Sequence, residues 1–485
     1  MIPEALEKAR QLDEFFKTGH GTVKGALHGL PISVKDQFHV KGSDTTMGYV
    51  GWIGTFEGDG ASNKIRTFDS QIISDLEAQG AVVFCKYDET INHIIGQTLN
   101  PVNRLLSCGG SSGGEAALIS MGGSSFGLGT DIGTYVFIPS GSSLTSIQPA
   151  LSVYQLRSVA SMASNQVIIG SPSEEWPIPC HFPQTPSSGY TTLTVSTQNP
   201  GQTLIPSSVG FLSKSLRSLS DAMGALLSTS PWLRDPAVVP IPWRKEARLS
   251  TRKKLRFGIF WWDGMVQPHP PIRRALQMVV AALERAGHEV IDWCPPSHTI
   301  PERLHPAIMN ADGSCDIQKQ LALSGEPLLH GLDEFHALRA PMSLLEYQHR
   351  ALQLRDYRQE YADYWNGTRD ADGNVVDAVL MPVAPHAAVI PGMWEHLAYT
   401  EVLNLLDYTA LAIPVTHADE NIDLPHAYVP VSAKDSRNWT AYYPGVYHGA
   451  PVGIQIVGRV CEEEKIIGVA EMVEECLETK GQSCL

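Results

Sequence analysis

Residues 105–121 read Leu-Leu-Ser-Cys-Gly109-Gly110-Ser111-Ser112-Gly113-Gly114-Glu115-Ala-Ala-Leu-Ile-Ser-Met, and few folds can absorb such a run. Glycine lacks a Cβ, so two glycine pairs bracketing two serines let the backbone turn tightly and approach a neighbour or a ligand. The apolar run 116–121 reads as the opening of a buried helix. That sets both serines near a helix N-terminus, where free N–H groups favour negative charge. A second glycine-rich stretch, Gly127-Leu-Gly129-Thr-Asp131-Ile132-Gly133, reads as another turn. It misses the spacing of a dinucleotide loop, and the first stretch lacks the Gly-Lys-Ser/Thr of a phosphate loop, so nucleotide binding is not expected.

Around this centre, strand-like and helix-like patterns alternate. Helical spacing of Leu6, Ala9, Leu12, Phe15 and Phe16 predicts a helix over 3–17 that packs outside a sheet. A short strand over 27–36 follows, with Lys35 alone interrupting its apolar end, then a helix over 72–79 and a buried strand over 81–85. Taken by itself, Lys35 is the snorkelling lysine of a strand end. Farther on, the pattern predicts a helix over 207–227 covering the site region and a strand over 255–261. A helix over 271–286, opening on Pro271 and closing at Gly287, then leads to a strand over 289–292. A long helix over 344–366, rich in Tyr and Arg, reads as a lid or pocket wall whose aromatics belong to the core. Strands over 379–383, 410–415 and 453–458 and a helix over 462–477 complete the chain, with His386 a structural histidine. The alternation predicts an α/β fold with a mostly parallel or mixed sheet.

The chain has 485 residues, 43% hydrophobic and 18% charged, which describes an ordinary soluble globular protein. A net charge of −15 argues against nucleic acid and anionic membrane surfaces as partners. No apolar run approaches membrane-spanning length, and the N-terminus lacks the apolar core of a secretory signal. Eight scattered cysteines show no C-x-x-C pair and no metal-ligand spacing. They read as reduced thiols of a cytoplasmic protein.

Four motifs in sequence order make a more specific case. These are Gly29-Leu-Pro-Ile-Ser-Val-Lys35-Asp, the run at 45–54, Gly109-Gly-Ser-Ser-Gly-Gly-Glu115 and Gly127-Leu-Gly-Thr-Asp-Ile-Gly133. Together they resemble the amidase signature family, particularly its fungal acetamidase-like branch. The resemblance resumes at 255–274, 377–388, 403–415 and 450–465. It implies a single domain over 1–485, with a mixed β-sheet core flanked by α-helices and a shortened N-terminus. It also implies hydrolysis of small carboxylic amides by a Ser-Ser-Lys triad without metal or cofactor, and leaves room for a homodimer.

On that resemblance Lys35 corresponds to the family's base and Ser111 to its bridging serine. Desolvation disfavours an ammonium, so a lysine buried in an apolar strand can serve as a neutral amine. Ser111 would relay a proton between that amine and a nucleophile, and the N–H groups of Ile132, Gly133 and Thr134 would hold the oxyanion. Ser-Lys versions of the hydrolase triad are a recognised variant of this scheme.

The sequence departs from the family at the nucleophile. Where the family has serine, this chain has Tyr135, and the signature arginine is Phe137. A phenol oxygen lies several bonds farther from the backbone and cannot take the serine's position unless something moves. Removing such a nucleophile can cost roughly a millionfold in turnover. The substitution points away from ordinary hydrolysis through residue 135 and toward a repurposed acid–base catalyst or a non-catalytic binder. From 134 to 203 only Arg157, Glu174 and Glu175 carry charge, which marks an atypical segment, remodelled or mis-assigned.

Overall fold

A computed structural model describes residues 1–87, 90–131, 154–157, 202, 204–205, 208–234, 238, 240–248, 254–329, 332, 335–393 and 396–478. In chain order the strands are β1 (Pro31–Lys35), β2 (Val82–Tyr87), β3 (Ile91–Asn92), β4 (Gly96–Gln97), β5 (Phe126–Asp131) and β6 (Tyr154–Arg157). They continue as β7 (Ser208–Ser213), β8 (Arg256–Ile259), β9 (Glu289–Asp292), β10 (Ala378–Pro382), β11 (Ala410–His417) and β12 (Pro451–Val457). The helices are α1 (Ile2–Thr18), α2 (Gln71–Ala78), α3 (Gly113–Ser120), α4 (Leu216–Ser228), α5 (Pro270–Arg285) and α6 (Thr299–Met309). After them come α7 (Cys315–Ser324), α8 (Leu344–Gly367), α9 (Ala398–Leu406), α10 (Ala433–Ala441), α11 (Pro444–Tyr447) and α12 (Glu463–Glu478).

Ten strands form one sheet in the order β2-β1-β5-β7-β6-β11-β12-β10-β8-β9, while β3 and β4 pair separately as a small hairpin. Strand β1 runs parallel to both β2 and β5. The pairings from β5 through β7, β6, β11 and β12 to β10 are antiparallel, and β10-β8-β9 is parallel again. The sheet is therefore mixed and flanked by helices, as the family resemblance implied.

Strand β1 shows why the sheet forms here. Ile32 and Val34 are fully enclosed and join Leu128 of β5 and Ile72 and Leu76 of α2 in the principal core. Burying an aliphatic side chain of this size contributes about 1.5–3 kcal/mol. On the outside of the sheet, Ala5 and Leu12 of α1 pack on Val82 of β2, the placement expected for that helix. A second core collects the aromatics of α8, with Tyr357, Tyr361 and Trp365 packed among Trp293, Tyr399 and Tyr408. The Tyr-rich face of α8 is thus core, as its spacing suggested. No helix among the described residues is long and apolar enough to cross a membrane.

Two local expectations are corrected. The stretch expected as one helix over 207–227 divides: Ser208–Ser213 is a buried strand, and the helix begins only at Leu216. Ser215 is extended and its side chain accepts the Ser218 N–H, so it caps α4 and ends the strand before it. Residues 127–131 of the second glycine stretch lie in a strand and not a turn, because β5 pairs with β1 on one side and β7 on the other. Its glycines serve close packing. A Cβ on Gly127 would stand 2.8 Å from Glu115 Oε2, and one on Gly129 would stand 2.7 Å from Ser112 Oγ.

Candidate active site

Lys35 ends β1 and Thr130 lies near the end of β5. Because these strands are parallel neighbours, both residues come to the same end of the sheet. The glycine–serine loop then brings a third group to them. Its shape is set locally: Gly109 adopts φ +115°, a left-handed value that strongly favours glycine. Gly113 has no room for a side chain, since a Cβ there would meet Cys108 Sγ and Thr90 Oγ1 at 2.5 Å. Thr90 clasps the turn from outside, donating to the Gly110 carbonyl and accepting from Gly113 N at 3.0 Å.

The result is a direct contact between the two residues singled out in the sequence. Lys35 Nζ lies 2.8 Å from Ser111 Oγ and donates to it. It also donates to Thr130 Oγ1 at 3.0 Å, and the Thr130 hydroxyl donates to Gln37 Oε1. Lys35 is only 3% exposed, so its amine is held by hydroxyls and not by bulk water. Ser112, the N-cap residue of α3, donates to the Thr130 carbonyl and accepts from the Thr130 N–H, both at 3.2 Å. That pair of bonds fixes the start of the helix against β5.

Asp36, next to the lysine, is buried and organises the flanking loop. Its Oδ2 accepts from Thr46 N at 2.7 Å, Thr46 Oγ1 at 2.6 Å and Met47 N at 2.9 Å. Its Oδ1 pairs with Lys86 Nζ at 3.0 Å, with both side chains under a tenth exposed. A charge enclosed this way needs such pairing, because desolvation would otherwise cost several kcal/mol.

Glu115 on α3 is the least expected member of the neighbourhood. Both carboxyl oxygens are enclosed, and neither is in hydrogen-bonding geometry with a donor among the described residues. Burial pushes its pKa from 4.5 to about 8, outweighing the pull of the Ser33 hydroxyl, the Lys35 charge and the Tyr87 backbone toward the ionised form. Cys108 borders the loop, and burial pushes its thiol up to about 12, which disfavours the thiolate. Among the described residues no group of three His, Cys, Asp or Glu side chains is placed to hold a metal ion.

Of the residues expected at the site, Lys35 and Ser111 are thus brought together. Ile132, Gly133, Thr134 and Tyr135 lie outside the described residues. Sequence reasoning passed over Thr130, Gln37 and Glu115. Thr130 and Glu115 stood inside the two glycine motifs as unassigned polar residues, while Gln37 carried no signal beyond its place two residues after the lysine.

An enclosed amine thus bonds a half-buried hydroxyl at the end of a mixed sheet on an α/β scaffold. The sequence model of the Amidase family matches residues 1–170 and 185–467. The chain belongs to the amidase signature family. It is 38% identical to an acetamidase of Aspergillus oryzae over 493 residues, covering 98% of this chain and 82% of that protein. It is 33% identical to Amidase 1 of Gibberella moniliformis, covering 98% of this chain and 84% of that protein. Among solved structures it is similar to fatty acid amide hydrolase, with a TM-score of 0.82 at 27% identity over 98% of this chain and 78% of the other.

Proposed function

We propose that this protein hydrolyses small carboxylic amides at the point where Lys35 meets Ser111. The observation that carries the reading is the 2.8 Å contact between the two. In its neutral form the Lys35 amine takes a hydroxyl proton as a carbonyl is attacked, then returns it to the departing nitrogen. The N–H groups of Ile132, Gly133 and Thr134 would receive the oxyanion, where preorganised donors act most strongly. Relatives named acetamidase support a small acyl group. Scattered cysteines with no C-x-x-C pair support a reducing, cytoplasmic setting.

Tyr135 favours a second reading, in which the chain binds amides without turning them over or applies the lysine–serine pair to another acid–base reaction. Ammonia release from acetamide, benzamide and longer acyl amides separates the two. Hydrolysis is expected to lie above the uncatalysed background and to fall about a hundredfold or more in Lys35→Ala. Release at background by the parent would support the binder, and equal release above background by the variant and the parent would remove the lysine from the chemistry.

A further inference from the structure

We propose that Ser111 is itself the attacking hydroxyl, so that the working unit is a lysine–serine pair and not a three-residue relay; this rests on the amide-hydrolase reading above. The hydroxyls to compare are those of Ser111, Ser112 and Thr130, and their hydrogen bonds distinguish them. Ser112 is 2% exposed and committed to both backbone groups of Thr130. Thr130 is 4% exposed, accepts from Lys35 and gives its own proton to Gln37. Ser111 alone of the three is half-buried and bonds directly to the amine. It therefore combines access with a base at 2.8 Å. It also immediately precedes the N-cap of α3, so charge developing beside it meets the positive end of that helix. A phenol such as that of Tyr135, by contrast, carries its oxygen several bonds farther from the backbone than a serine does.

The reaction balances with water as the only co-reactant. Neutral Lys35 Nζ takes the Ser111 proton while Oγ bonds to the carbonyl carbon. Collapse breaks the C–N bond, and the nitrogen leaves with its electron pair and the proton returned from Lys35. Water then gives a proton to Lys35 and its oxygen attacks the ester carbon. The C–Oγ bond breaks, the proton goes back to Oγ, and a carboxylic acid departs.

The test treats the full-length protein with an alkyl fluorophosphonate and locates the modified residue by peptide mass spectrometry. Ammonia release from acetamide is measured in parallel. Labelling is expected on Ser111, about a hundredfold slower in Lys35→Ala, with nothing at this position in Ser111→Ala. Label on Thr130, Thr134 or Tyr135 with Ser111 untouched would overturn the proposal. So would an absence of label in protein that still melts cooperatively. The parent chain decides this by itself, whether or not the variants fold. Ammonia release without a Ser111 adduct overturns the pair and leaves the amidase reading standing. A Ser111 adduct without ammonia release keeps the nucleophile and removes the amide substrate.

Discussion

Glu115 shows how one buried side chain contributes to the pH dependence of stability. Below pH 4.5 the folded and unfolded chains both hold its proton. Between 4.5 and about 8 the folded chain keeps a proton that the unfolded chain has lost, so stability falls as pH rises and levels off above about 8. Replacing the carboxyl with an amide removes this dependence while keeping the shape. Thermal melts of Glu115→Gln are expected to lose less Tm than the parent between pH 5 and 8. Parallel curves for the two proteins would show that the carboxyl does not titrate in this window. The residue was visible in the sequence as the last member of the glycine–serine motif, but its enclosure was not. Burial on all sides arises from contacts with β1 and β5 that no local pattern records. Lys35 was different: by itself it read as a snorkelling lysine at a strand end, and only the four motifs in order made it a candidate base with the glycine loop as its partner.

At the scale of elements, β5 and α3 are joined by missing side chains. Gly127 and Gly129 let α3 approach the strand closely, and Ser112 then bonds both to the Thr130 N–H and to its carbonyl. A methyl at 129 would press on Ser112 Oγ at 2.7 Å, with Leu212 Cδ1 at 3.1 Å on another side. Overpacking of this kind typically costs about 1–3 kcal/mol. Gly129→Ala is expected to lose stability on that scale in urea titrations and to slow amide turnover, because the displaced element carries Ser111. Gly367, at the end of α8, has nothing within 4 Å of a built Cβ and is the control position. Equal stability losses at 129 and 367 would contradict the close-packing account. The same glycines explain a sequence reading that failed. Glycine clusters usually mark turns, and only the pairing of β5 with β1 and β7 shows that these lie within a strand. Likewise, the division of 207–227 into β7 and α4 depends on Ser215 capping the helix, a weaker signal than the surrounding apolar run.

For the molecule as a whole, strand order decides what can meet. Lys35 and Ser111 are separated by 76 positions along the chain, yet β1 lies beside β5, and α3 leads into β5 from the glycine loop. The sheet class and most of its strands were legible from alternating apolar patterns. The pairing of β1 with β5 was not, because parallel pairing leaves no turn to mark it. Function follows from that topology only if the amine and hydroxyl act as one unit. The most direct measurement is a double-variant cycle on ammonia release from a small amide, using Lys35→Ala, Ser111→Ala and the combined variant. A pair acting together predicts that the combined variant is no slower than Lys35→Ala alone, because each single change already disables the unit. Losses that multiply across the two positions would mean that the lysine and the serine work separately, and would contradict a shared acid–base unit.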